Sequence, residues 1–267
     1  MLLQNKNAVI YGAGGSLGGA IAKALAAAGA QVFLTGLHLE NVQQLANGIR
    51  ATGGRAEAAV VDALDEKAIE THLQQVKRKA GTVDISYNAI DLKPKQNIPL
   101  VEMELTDFIR PVNIAMHTQF LSATAAGRIM IAQGSGVILS LTATPAGIGY
   151  PLVGGFGPAC CAMESFSRDL ASELGPHGVR VVNMRSGGSP DSRVFAEAIA
   201  SVPEAPEFLV KMQADTMLKK LPPMAHIANT AVFLASDLAG SITGVTIDIT
   251  CGTTNALNYK VANIPLK

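Results

Sequence analysis

The sequence predicts a doubly wound α/β fold, a mostly parallel sheet with helices on both faces, and three observations predict it. Short apolar runs recur along the 267 residues, each followed by a longer stretch of helical periodicity. Runs such as AVIY at 8–11 and VFL at 32–34 are continuous rather than alternating, the pattern of strands buried on both faces. A glycine-rich turn, YGAGGSLGG at 11–19, stands between the first strand and the first helix, where α/β sheets of this kind bind their ligands. The expected architecture is a three-layer sandwich forming one domain over 1–267, since no Pro/Gly/Ser-rich linker and no internal repeat divides the chain.

Each element follows in order. Ala8–Tyr11 is a short strand, and SLGGAIAKALAAAGA after the turn is a helix with Leu17, Ile21 and Leu25 on one face. The strand QVFLTG comes next. The order then repeats with a helix over about 39–51, a strand near 56–60, a helix over 65–80 and the strand VDISYNA. A long helix runs from Thr106 to about Gln133, followed by the strand GVILSLTA, a helix beginning near Pro158 and the strand VRVVNM. Residues 188–235 form a substrate-side loop and helix region, and GVTIDI is the last strand.

Composition narrows the partners. With 48% hydrophobic residues the chain can bury one sizeable core. The 21 basic and 21 acidic side chains cancel, so nothing pulls it toward nucleic acid or acidic lipid, and a small-molecule substrate is expected. The start MLLQNKNAVIYGAGG lacks a signal-peptide layout, and no apolar run of about 18 residues reads as a membrane span. A cytoplasmic protein without a membrane segment is expected. Cys160, Cys161 and Cys251 fit neither a disulfide framework nor a spaced metal-ligand set, so no metal is expected.

The first turn is the candidate nucleotide site. Gly12, Gly14, Gly15, Gly18 and Gly19 give a chain that can turn tightly and approach a diphosphate closely, while the helix start offers free N–H groups to phosphate oxygens. A merely flexible loop is the alternative, but strand before and helix after are the context the motif requires. In such sites an acid near the end of the second strand binds the adenosine ribose. Here Gly36, Leu37 and His38 stand there, with no carboxylate to repel a 2′-phosphate and no Arg to grip one. His38 is open to two readings, a solvated loop residue or a weak phosphate contact.

These residues resemble those of the short-chain dehydrogenase/reductase family along nearly the whole chain. The turn is similar to the family's Gly-x3-Gly-x-Gly pattern, with Gly12 and Gly18 in register, Ser16 where the middle Gly is usual and Tyr11 where Thr is usual. Asp62 matches the Asp beside the adenine ring, and Asn88-Ala89 the core of the Asn-Asn-Ala-Gly element, with Tyr87 and Ile90 as departures. Asn113 matches an Asn that holds a proton-relay water. FSRDLASELGPHGVRV and IANTAVFLASDLAGSITGVTIDITCG match two further stretches. The resemblance implies a Rossmann-like NAD(P)-binding domain, with cofactor contacts from Gly12, Gly15, Ser16, Leu17, Gly18, Gly36, Leu37, His38, Asp62, Ala63, Asn88, Ala89, Ser186 and Gly187. NADP is slightly preferred over NAD because of the missing acid. Association as a homodimer or homotetramer, through the helix bearing CAMESFSRDLASEL and the long helix before it, is implied as well.

The family's catalytic residues are a different matter. Where it has a Ser, a Tyr and a Lys, this chain has Ala143, Phe156 and Cys160. Phe has no proton to give, and a Cys cannot supply the fixed positive charge of a Lys. Candidate substitutes are Thr142 or Thr144, each equally a turn cap, and Tyr150, which is otherwise a tyrosine packed on the cleft rim. The candidate catalytic set is therefore Asn113, Thr142 and Tyr150. Cys160 and Cys161 also read simply as small residues at a close helix–sheet contact. Arg185 reads as an anchor for an acidic substrate or cofactor phosphate, or as one half of a salt bridge. Two functions stay open: an NAD(P)-dependent oxidoreductase with an atypical active site, acting on a small carbonyl or activated double bond, or an inactive cofactor-binding or partner-binding member of the fold.

Overall fold

The structure is a computed structural model describing residues 1–193, 195–197 and 205–256. Residues 194, 198–204 and 257–267 of the expected single domain lie outside the described residues. Seven strands, β1 (Asn7–Tyr11), β2 (Gln31–Gly36), β3 (Arg55–Val60), β4 (Ile85–Asn88), β5 (Gly136–Ala143), β6 (Val179–Ser186) and β7 (Val245–Ile249), form one parallel sheet. Their order is β3-β2-β1-β4-β5-β6-β7. The chain winds outward in both directions from the β1/β4 boundary, which opens a crevice at the C-terminal ends of those two strands.

Helices of the described residues include α1 (Ser16–Ala27), α2 (Leu39–Ala51), α3 (Glu66–Ala80), α4 (Leu105–Gln133), α5 (Phe156–Leu174), α6 (Ala205–Ala214) and α7 (Met224–Ala235). α1, α2 and α7 cover one face of the sheet, burying Ile21, Leu25, Val42 and Ile227 against Ala8 and Ile10. α3, α4 and α5 cover the other, burying Leu73, Met130 and Leu170 against Val9 and Tyr11. Neighbouring residues of β1 thus enter opposite cores, the physical reason for its unbroken apolar run.

Element boundaries differ from expectation where local chemistry intervenes. Asp65, expected inside α3, caps it instead, its Oδ1 accepting from the Ala68 N–H at 3.1 Å. α5 starts at Phe156, ahead of Pro158, because a proline in a first helical turn forfeits no intrahelical hydrogen bond. β6 continues two residues beyond Met184 to Ser186, carried by its pairing with Thr142 and Ala143 of β5. β4 is shorter than expected, covering only Ile85–Asn88.

Parallel register also aligns polar residues that lie far apart in sequence. Tyr11, Asn88, Ser140, Asn183 and Thr246 form one row across the sheet. Two residues nearer the C-terminal edge, Thr142, Arg185 and Asp248 form a second. Among the described residues no helix is long and apolar enough to cross a membrane, and no His/Cys/Asp/Glu group could hold a metal ion.

Candidate functional site

The glycine turn closes on β4. Gly12 has φ +74°, and a Cβ there would lie 2.5 Å from the Ala89 carbonyl oxygen, so only glycine fits. A Cβ on Gly18 would run into the carbonyl oxygen of Gly12. Gly15 occupies the N-cap of α1 without a side-chain cap, and the first turn carries no acid, which leaves the N–H groups of the helix start facing the crevice unneutralised. The Ala13 N–H donates to the Thr35 carbonyl and the Ala89 N–H to that of Tyr11, tying the turn to the strands on either side. A cradle that admits no Cβ at two positions, backed by an uncapped helix start, fits the diphosphate of a dinucleotide.

The expected flanks of that cradle stand at the same edge. Asn88 is buried, its Oδ1 accepting from the Ile90 N–H at 3.0 Å while its Nδ2 donates to Thr118 at 3.5 Å and Ser122 at 3.4 Å on α4. It shapes the wall beside Ala89. Asp62 is exposed with Oδ1 accepting from the Leu64 N–H, and Ala63 beside it is buried. Gly36 lies at the end of β2, followed by exposed Leu37 and His38 at the N-cap of α2. Ser16 and Leu17 open α1, and Ser186 and Gly187 leave the end of β6, where the Gly187 N–H donates to the Ile249 carbonyl.

The catalytic candidates stand in different surroundings. Asn113 is exposed, off the buried stripe of α4 that runs through Asp107, Pro111, Ala115, Gln119 and Ser122. At that level the helix presents Ala115 to the interior, where it packs with Ala159 and Met163 of α5 and with Phe156. Thr142 is buried and committed: its hydroxyl donates to Glu164 at 2.8 Å and accepts from Asn183 at 2.7 Å. It faces the helix layer rather than an open cleft. Thr144 donates to the Ser186 carbonyl at 3.3 Å. Tyr150 is half-buried, with burial and the charge of Asp215 pushing its phenol up and the charge of Lys211 opposing them.

The Cys160 thiol lies against the Ala143 backbone, one turn along α5 from Phe156. Phe156 starts α5, half-buried against Ala115, Ala159 and Met163. Burial pushes that thiol up to about 12, so at neutral pH it is a neutral, weakly polar group and neither base nor cation.

Arg185 resolves in favour of a salt bridge. Its Nε and Nη2 grip the two oxygens of buried Glu164 at 2.9 and 2.5 Å, and its Nη1 lies 3.3 Å from Asp248. The Glu164 hydrogen bond is the main reason its proton is held more tightly than usual. Glu164, Asn183 and Asp248 are the polar residues that sequence reading missed. They are distant in sequence, and only the strand register that pairs Thr142 with Arg185 and Arg185 with Asp248 brings them together.

A family model described as Enoyl-(Acyl carrier protein) reductase matches residues 12–254. The chain is 30% identical to an oxidoreductase of Thermotoga maritima over 254 residues, which is 95% of this chain and 99% of that one. It is 28% identical to the 7alpha-hydroxysteroid dehydrogenase of Escherichia coli (strain K12), covering 96% of this chain and 97% of the relative. Its fold is shared with NAD+-bound xylitol dehydrogenase, with a TM-score of 0.88 at 23% identity, covering 94% of this chain and all of that one.

Proposed function

This chain belongs to the short-chain dehydrogenase/reductase family of oxidoreductases, and from that premise we propose that it binds a nicotinamide dinucleotide across the crevice and reduces a small carbonyl or an activated double bond by an atypical proton route. The observation that carries the reading is the cradle at Gly12 and Gly18, where a Cβ would displace the backbone of Ala89 or of Gly12 itself. In this reading the first-turn amides of α1 and Ser16 hold the diphosphate, Asp62 and Ala63 border the adenine, Asn88 and Ala89 wall the centre, and Ser186 and Gly187 lie beside the nicotinamide. The bound cofactor supplies the hydride. The solved xylitol dehydrogenase of the same fold holds NAD+, and the names of the matching family model and relative, enoyl reductase and hydroxysteroid dehydrogenase, motivate the substrate class. With no carboxylate at Gly36–His38, NADP is slightly favoured over NAD.

The residues beside the nicotinamide end limit the chemistry. Phe156 and the neutral Cys160 thiol move no proton at neutral pH, and Thr142 has its donor engaged by Glu164. Tyr150 remains. A phenol whose pKa is raised keeps its proton, which suits a donor in the reductive direction and not a base in the oxidative one. The same observations support a second reading, a family member that binds cofactor without turnover.

Isothermal titration of the full chain with NADH and NADPH tests the cofactor reading. Binding is expected for both, somewhat tighter for NADPH, and Gly18→Val is expected to abolish it while circular dichroism stays unchanged. A folded wild type that binds neither would overturn the proposal, and a tenfold preference for NADH would overturn the NADP preference.

A further inference from the structure

Backbone strain gathers at the C-terminal edge of the sheet. Among the described residues, five of the six non-glycine positions with left-handed backbone lie in segments leaving that edge: Lys93 and Asn97 after β4, Leu152 after β5, Lys219 between α6 and α7, and Cys251 after β7. Leu152 is the least favourable of them. At φ +61° its Cβ crowds its own carbonyl, and 44% of the residue stays exposed, so neither conformation nor burial favours a leucine there. The loop is held in place all the same. The Asn97 N–H donates to the Leu152 carbonyl at 2.8 Å, and a Cβ on Gly154 would meet Met103 and the Lys95 carbonyl. Strain of this kind persists where surrounding structure enforces it, and it concentrates at ligand sites.

Neighbouring segments bring more apolar side chains to the same edge. A Cβ on Gly188, at the exit of β6, would meet the Phe195 ring and Met212 of α6, and one on Gly252, beyond β7, would meet Met217. The Leu218 N–H donates to the Cys251 carbonyl at 3.2 Å, which pins Met217 and Leu218, both more than half exposed, beside the end of β7. The charges of Lys211 and Asp215 reach the phenol of Tyr150, two residues before Leu152, so the end of α6 faces the loop after β5. Several cations of this edge already hold carboxylates: Arg185 holds Glu164 and Asp248, Lys211 holds Asp215 at 2.7 Å and Lys95 holds Asp107 at 2.5 Å. Lys93 and Lys220 lie outside those pairs.

We propose that the substrate is an uncharged carbonyl compound with a hydrocarbon body, and that Leu152, Met217 and Leu218 take up that body when it binds. The inference rests on the oxidoreductase reading above and deepens it by naming the substrate class. A hydrocarbon laid on Leu152 supplies the burial that its own chain does not, and the flexible thioether of Met217 adapts to its shape.

Titration calorimetry of the full chain, alone and saturated with NADP+, tests the class with 2-octanone, 2-butanone and 7-oxooctanoate. 2-Octanone is expected to bind at least about tenfold tighter than 2-butanone, which is four methylenes shorter, and about tenfold tighter than 7-oxooctanoate, which carries a carboxylate at the far end of an equally long chain. Asn tolerates left-handed backbone, so Leu152→Asn should equal or exceed the wild type in Tm while binding 2-octanone about fivefold more weakly and NADPH as before. A lowered Tm in that variant would show Leu152 packed against its own chain, and unchanged 2-octanone affinity would show that it touches no substrate; either overturns its role. 7-Oxooctanoate bound as tightly as 2-octanone would overturn the class and point to Lys93 or Lys220. A chain that binds NADPH and none of the ketones would overturn this inference alone, and one that binds 2-octanone without NADPH would overturn the dinucleotide reading alone.

Discussion

Phe156 and Cys160 lie one turn apart at the start of α5, the spacing that brings a proton donor and a supporting cation to one place. Here that place is apolar, closed by Ala115, Ala159 and Met163, and the Cys160 thiol keeps its proton far above neutrality because it is buried. Restoring the family's groups as Ala143→Ser, Phe156→Tyr and Cys160→Lys asks whether only those groups are missing. If so, the folded triple variant should reduce small activated ketones with NADPH at least about 10²-fold faster than the parent. The new Lys enters a tight site, but Glu164 lies one turn on and offers it a carboxylate. A variant that is folded by circular dichroism and binds cofactor, yet gains no rate, would show a pocket rebuilt for another reaction or for none. Residues of this kind were legible by position, since a side chain's chemistry is written in its identity. Asn113 was chosen by its match in sequence, and on α4 it lies exposed, off the buried stripe through Asp107, Pro111 and Ala115.

At the scale of elements, α5 is locked to β5 and β6 by charge as well as by packing. Glu164 accepts from both Arg185 and Thr142, and Asn183 bridges Thr142 to Ser140, which also contacts Ser167 of α5. Removing one partner of such a buried set leaves the others desolvated and unpaired. Glu164→Ala should therefore cost about 3 kcal/mol, which for a domain of this size lowers Tm by roughly 6–12 °C. Dinucleotide affinity should change little, as the network faces the helix layer and not the glycine turn. Thermal unfolding would settle it, and a loss under about 0.5 kcal/mol would mean that Arg185 is held by Asp248 alone. No sequence signal pointed to this network. Its members belong to four elements, and burial of a charge in a helix–sheet seam is invisible until register and packing are known.

For the whole molecule, the outer face of α4 and α5 remains uncovered. Phe120 is exposed and meets Phe166 with ring centroids 6.1 Å apart, and Leu105 and Ile109 lie exposed on the same helix. We expect this face to join copies of the chain. Sedimentation at micromolar concentration should give a dimer or tetramer that Phe120→Glu converts to monomer, and a monomeric wild type would exclude the association. The layering that leaves this face outside was readable in advance: continuous apolar runs require a sheet covered twice, and the glycine turn names the edge where a ligand enters. Those are consequences of local periodicity and of backbone sterics at Gly12 and Gly18, which act within a few residues. Folding alone decided which side chains share a place. It set Arg185 between Glu164 and Asp248 and laid the Arg193 backbone against Ser16. Each of those outcomes depends on strand register, helical phase or the path of a long loop, quantities fixed by burial of the entire core and by no single segment of the chain.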